Sequence, residues 1–215
     1  PSDAVVCFPS SGRIVAIVAN RSYRSDNVGH DWTLHSSGVF AAEIDWQGLD
    51  YARAAASADG SALYVGEEET SGTLTQGASV DGFATVQLVG TWSGERPTVA
   101  ALPGGGYAVA WIADTTDYPR CVRLASPWQP IGDLESVVIA STACDHVVLV
   151  ADPDGLLTAY YSPSGAAGQI RMSVSLDGGA TWTAYTEGCL RSLSTDRPLV
   201  EYVGAASAGT HILSG

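Results

Sequence analysis

Lysine is absent from this 215-residue chain: all ten basic residues are arginine, against 23 aspartates and glutamates, for a formal net charge of −13. A phosphate backbone needs a basic face, so nucleic acid is excluded as a partner, and anionic membrane surfaces are excluded for the same reason. No apolar run approaches a membrane span. The longest, such as Val147-Val-Leu-Val150, suit strands buried on both faces. No leader is visible at Pro1, although a cleaved one would leave no trace. The four cysteines, Cys7, Cys121, Cys144 and Cys189, show no C-x-x-C spacing and no accompanying histidine pattern, which argues against a zinc site. Cys144 and Cys189 fall in connections on one side of the same repeat unit, so they could form a disulfide or remain free thiols. Also missing are a G-x-S-x-G nucleophile elbow, a phosphate loop and an amphipathic helix; His30, His35, His146 and His211 are scattered.

What the chain does have is Ser175-Leu-Asp-Gly-Gly-Ala-Thr-Trp182, an S-x-D-x-G-x-T-W octapeptide with Ser175, Asp177, Gly179, Thr181 and Trp182 in place. Asp177 before two glycines signals a tight turn, because a short carboxylate accepts the following backbone N–H groups and glycine takes positive φ without strain. Alternating Ile170-Arg-Met-Ser-Val-Ser175 precedes it and Trp182-Thr-Ala-Tyr185 follows, so the turn joins two antiparallel strands with Trp182 as a core anchor.

The surrounding pattern recurs. An apolar strand, a glycine turn and a second apolar strand begin at Asp3, Asp50, Glu95, Asp145 and Asp196. The turn glycines are Gly12, Gly60, Gly106, Gly155 and Gly209, separated by 48, 46, 49 and 54 residues. That period belongs to blade repeats, and the chain reads as one domain over 1–215 with units near 3–49, 50–94, 95–144, 145–195 and 196–215. Ser25-Asp-Asn-Val-Gly-His-Asp-Trp32 is a second octapeptide, keeping Ser25, Gly29 and Trp32, with Asn27 for the aspartate and Asp31 for the threonine. Residues 79–86 keep Ser79, Asp81 and Thr85 but lose the glycine and tryptophan, and the third unit retains only Trp128.

The octapeptide resembles the Asp-box, or BNR repeat, of sialidase-like β-propellers. The resemblance implies an all-β propeller of four-stranded antiparallel blades, about four and a half in this chain. It also implies that the box is a structural turn between the third and fourth strands, on the face opposite the ligand site. Because a propeller must close to protect its edge strands, the half blade predicts completion by further chain or by a partner chain.

Strand alternation puts the starts of the innermost strands, the second-to-third loops and the ends of the outer strands on one face. Asp3, Asp50, Glu95, Asp145 and Asp196 should therefore ring one channel mouth, joined by Arg53, Arg96 and Arg197 and by the loop containing Glu67-Glu-Glu69. Such a ring could seat Ca²⁺, which takes six to eight oxygen ligands, or each acid could cap its strand or pair with an arginine. No other cofactor is implied.

The sialidase resemblance also implies an arginine triad and a tyrosine nucleophile paired with a glutamate. Glu201, Tyr202 and Asp50 are the available residues, but adjacent strand residues point to opposite faces, and the family's R-I-P motif is absent, Arg96-Pro97 and Arg197-Pro198 lacking its middle residue. The expectation is thus a divergent, non-catalytic module. Tyr23, Tyr118 and Tyr161 are candidates for stacking on sugar rings. Propellers resembling this one occur in secreted bacterial proteins and in phage tails and fibres. That implies an extracellular or virion-associated place and a glycan or other protein chains as partners; a sialidase-like glycoside hydrolase fragment is the alternative.

Overall fold

A computed structural model describes residues 4–8, 12–68, 70–166 and 169–191, with backbone alone at 5–8, 50 and 185–191. These residues form four antiparallel four-stranded sheets, each a meander of consecutive strands. Blade 1 is β1 (Ala4–Phe8), β2 (Arg13–Val18), β3 (Arg21–Ser25) and β4 (Thr33–Ser36). Blade 2 is β5 (Leu49–Ala56), β6 (Ala62–Glu68), β7 (Thr73–Ser79) and β8 (Gln87–Ser93). Blade 3 is β9 (Glu95–Ala101), β10 (Tyr107–Ile112), β11 (Pro119–Leu124) and β12 (Val137–Val138). Blade 4 is β13 (Cys144–Ala151), β14 (Leu157–Pro163), β15 (Gln169–Ser175) and β16 (Thr183–Arg191). The all-β propeller expectation holds for the four described blades; the fifth unit, with Asp196 and Arg197, lies outside the described residues, as does Asp3.

Alternation along the strands divides each blade between two neighbours. Val147, Leu149 and Ala151 of β13 pack with Ala100, Ala108 and Ala110 of blade 3, whereas Val148 turns to the opposite side with Tyr160 and Ile170. A second core joins blades 1 and 2 through Val15, Ile17, Phe40, Tyr64 and Phe83, and a third joins blades 2 and 3 through Leu63, Val65, Tyr107 and Val109. Phe40 and Tyr64 meet edge to face at 5.0 Å. Innermost strands pack in series, β1 on β5, β5 on β9 and β9 on β13.

Three of the four blades carry the same turn between third and fourth strands. In blade 4 the Ser175 hydroxyl donates to Asp177 at 2.7 Å and accepts the Gly179 N–H at 2.7 Å; Asp177 accepts the Thr181 N–H at 2.8 Å and its hydroxyl at 2.6 Å. Trp182 closes the turn by donating its indole N–H to the Gly179 carbonyl at 3.1 Å, as Trp32 does to Gly29 at 3.0 Å. In blade 1 the donor and acceptor have changed places: the Asn27 amide donates to the Asp31 carboxylate at 2.7 Å, so the two departures from the pattern compensate one another. Blade 2 keeps the bonds from Ser79, Asp81 and Thr85 although Phe83 stands where the glycine should. Phe83 adopts φ +64° and is fully buried, so packing offsets a backbone strain of about 1–3 kcal/mol.

The turns of blades 2 and 4 grip the blade before them, the first through the Asp81 carbonyl, 3.2 Å from Nε2 of His35 in blade 1. Trp182 lies against the core shared by blades 3 and 4, and a side chain at Gly179 would press on Cys121 of blade 3. Blade 3 has lost the octapeptide and substitutes another device. Gln76 of β7, fully buried in blade 2, donates to the carbonyls of Pro127 and Gln129 at 2.8 and 2.9 Å and accepts the Ile131 N–H at 3.0 Å.

Candidate functional site

At the end of the blades away from these turns, the innermost strands of blades 2, 3 and 4 start with irregular pairing. Register shifts fall between Asp50 and Arg53, beside Glu95, and between Cys144 and His146. A bulge re-aims the residue that follows the acid. Tyr51 and Arg96 occupy that equivalent position, both with left-handed backbone at φ +45° and +51°.

Arg96 is the centre of the group so formed. Its backbone N–H donates to the Glu67 carboxylate at 2.7 Å, across the boundary with blade 2. Its guanidinium lies 5.7 Å from the centroid of the Tyr51 ring, a cation–π distance. The same guanidinium donates to the Asp145 carbonyl and contacts the His146 ring, with Nη1 3.0 Å from Nε2, which reaches blade 4. One side chain therefore spans three blades. Since arginine carries no acceptor, the His146 nitrogen it meets must present a lone pair.

The acids predicted to ring the mouth are placed as follows. Glu95 and Asp145 are exposed at the starts of β9 and β13, and Asp145 accepts the Ser164 hydroxyl at 2.6 Å. Asp50 is the second residue of β5, and Arg53 is exposed in the same strand with Nη1 donating to the Ala52 carbonyl at 2.8 Å. Arg96 directs its guanidinium to a carbonyl and an imidazole, so it is not a simple partner of the acid beside it. Among the described residues, no three His, Cys, Asp or Glu side chains converge as metal ligands would. Asp3, Asp196, Arg197, Glu201 and Tyr202 lie outside the described residues.

Beside this group the loop between β10 and β11 adds further carboxylates. Burial and the neighbouring Asp117 push the Asp114 carboxyl above its ordinary range. The Asp117 carbonyl accepts the Cys144 N–H at 2.9 Å and faces its thiol at 3.7 Å. Cys144 and Cys121 are free and buried, and burial pushes both thiols up to about 12. Cys144 is thus a free thiol, and the side chain of Cys189, its possible partner from the sequence, lies outside the described residues. Of the candidate stacking residues, Tyr161 is 3% exposed in the core between blades 3 and 4 and cannot meet a ligand, whereas Tyr118 and Tyr23 are half-buried. Tyr51 and His146 are the members that motif searching missed; their only signal is their common position one residue after the acid.

This architecture is a β-propeller of which four blades are described. Neither a protein-family model nor a curated protein sequence matches the chain. Solved structures do: an exo-β-1,3-galactanase of Phanerochaete chrysosporium, determined with galactose, is similar with a TM-score of 0.61 and 8% identity over 88% of this chain. A GH43 protein of Bacillus licheniformis gives a TM-score of 0.58 at 13% identity over 92% of this chain. The chain spans about half the length of these relatives, 49% and 44% respectively, and 75% of a GH43 β-1,3-galactosidase solved with galactodeoxynojirimycin, at a TM-score of 0.61 and 8% identity. GH43 glycoside hydrolases are five-bladed propellers. At such identities the likeness concerns the fold.

Proposed function

We propose that this chain is a divergent Asp-box β-propeller that binds glycans at the Arg96 face and serves as a non-catalytic binding or assembly component of a virion or cell-surface structure. The observation that carries the reading is the Arg96 group itself: a guanidinium over the Tyr51 ring, flanked by the exposed Glu95 and Asp145 carboxylates where three blades meet. Sugars are recognised by such combinations, with carboxylates accepting hydroxyl protons and an aromatic face meeting C–H groups. Two of the proteins of like fold are an exo-β-1,3-galactanase and a β-1,3-galactosidase, which makes β-1,3-galacto-oligosaccharides the first ligands to try. A rigid propeller with function confined to one end also suits a subunit held by other chains through its remaining surface.

Glycan-array screening followed by calorimetry tests this reading. Binding that falls at least tenfold in Arg96→Ala, with unchanged circular dichroism, supports it; an array with no signal for the parent chain removes it. A second reading is a glycoside hydrolase of which this chain is part. It is favoured by the exposed carboxylates of Glu95 and Asp145 at the starts of adjacent innermost strands. Released reducing sugar from β-1,3-galactan, abolished in Glu95→Gln or Asp145→Asn, would establish it.

A further inference from the structure

Gln76 and Cys121 occupy the same position in successive blades: Gln76 stands opposite the fourth residue of β6, and Cys121 opposite the fourth residue of β10. The two blade boundaries they face are finished differently. At the first, the long Gln76 side chain holds the connection between β11 and β12, which places Ile131 in the core shared by blades 2 and 3. At the second, the position carries a short thiol, and blade 4 brings only the compact turn between β15 and β16. The difference leaves a cavity of about 220 Å³ between the outer strands of blade 3 and that turn.

One face of the β11–β12 pair builds the wall. Cys121 belongs to the core shared with blade 4, Arg123 lies two residues further on and turns the same way, and Val137 pairs with Cys121 in register. Leu134 and Ala180 add methyl groups. Glycines keep the space open: a Cβ on Gly178 would come within 3.1 Å of Arg123 Nη1, and one on Gly179 within 3.3 Å of Cys121 Sγ. Arg123 and Glu135 stand exposed at the rim. Neither side chain makes a hydrogen bond or ion pair with another described residue, so two opposite charges line one cavity without pairing.

We propose that this cavity binds a small zwitterion, an α-amino acid with an apolar side chain, its carboxylate on Arg123 and its ammonium group on Glu135. The side chain lies against Val137, Leu134 and the Cys121 wall. The guanidinium fork matches a carboxylate, and Glu135 accepts from the ammonium group. A simple anion would gain Arg123 but meet Glu135, and a simple cation the reverse, so only a ligand carrying both charges satisfies both. The volume lies below the roughly 300–1,000 Å³ of pockets for drug-sized molecules, which restricts the occupant to one small residue. The cavity lies at the turn end of blades 3 and 4, away from Arg96, and does not depend on the glycan reading.

Calorimetry on the full chain tests the site with leucine, 4-methylpentanoate and 3-methylbutylamine, three probes that share the apolar group and differ in charge. Leucine should saturate, and each singly charged probe should bind at least about tenfold more weakly through loss of one charge-assisted hydrogen bond. Arg123→Gln and Glu135→Gln should each weaken leucine by a similar factor, whereas Arg96→Ala should leave it unchanged. No saturation by millimolar leucine overturns the proposal. Equal affinities for the three probes overturn it by reducing the site to an apolar contact, and tighter binding of galactose than of leucine does so by making the cavity a sugar site. Leucine binding that neither rim variant alters places the zwitterion elsewhere and overturns it too. Should a variant fail to fold by circular dichroism, the three probes on the unmodified chain decide. No readout requires a glycan at Arg96, so failure of the glycan reading leaves this one standing.

Discussion

Gln76 in blade 2 accepts the backbone N–H of Ile131 in blade 3 at 3.0 Å, while its amide nitrogen donates to the carbonyls of Pro127 and Gln129. Within the long connection from β11 to β12, Gln129 accepts the Ala125 N–H at 3.1 Å and Ser126 the Trp128 N–H at 3.3 Å, but the Ser-Asp-Thr bonds that organise the turns of the other blades are lacking. Truncation to Gln76→Ala leaves three backbone groups without their partner in a buried site. A loss on the order of 3 kcal/mol is expected, read as a lower urea midpoint. Gln76→Glu should be nearly as damaging, since a carboxylate cannot donate to two carbonyls.

The turn in blade 4 sets an acid sensitivity. Hydrogen bonds from the Thr181 hydroxyl and N–H and from the Ser175 hydroxyl hold the Asp177 carboxyl well below the usual carboxylate range. A folded-state pKa below the unfolded value contributes stability above about pH 4 that is lost as pH falls through the folded value. Asp177→Asn should lower Tm at pH 7, and the gap to the parent should narrow below about pH 4. Adding Thr181→Asp to Asp177→Asn recreates the Asn27 and Asp31 pairing of blade 1 and should recover much of the loss.

Gly94 joins blade 2 to blade 3 with φ +151°, and a Cβ there would overlap Trp111 Cδ1. Trp111 is held edge to face on Trp92 at 5.8 Å and has no room to retreat. Gly94→Ala should cost about 1–3 kcal/mol in thermal or chemical unfolding. Gly104→Ala, with nothing within 4 Å, is the neutral control.

The buried thiols predict slow chemistry. Desolvation raises Cys121 and Cys144 from an ordinary 9.0 to about 12, which cuts the thiolate fraction at pH 8 about a thousandfold. Alkylation of these two in the folded chain should lag behind the same peptides in urea by at least that factor, followed by mass spectrometry.

How much of this was legible depends on the range of each interaction. Local signals were readable: the octapeptides, the Gly12, Gly60, Gly106 and Gly155 hairpins and the acids that begin each unit all act within a few residues. Even the exchanged Asn27 and Asp31 pair could be placed, because it keeps the spacing of the intact turn. Gln76 could not, since its partners lie 51 to 55 residues away and nothing local distinguishes it from a surface glutamine. Phe83 hid its turn because a bulky residue argues against left-handed backbone until burial is known. Tyr51 and His146 were concealed by the bulges, which interrupt the alternation on which facing arguments rest.

The grip of the turns of blades 2 and 4 on the blade before them gives the molecule a direction in time as well as in space. During synthesis the turns of blades 2 and 4, and the Gln76 clamp at blade 3, each find a surface that has already left the ribosome.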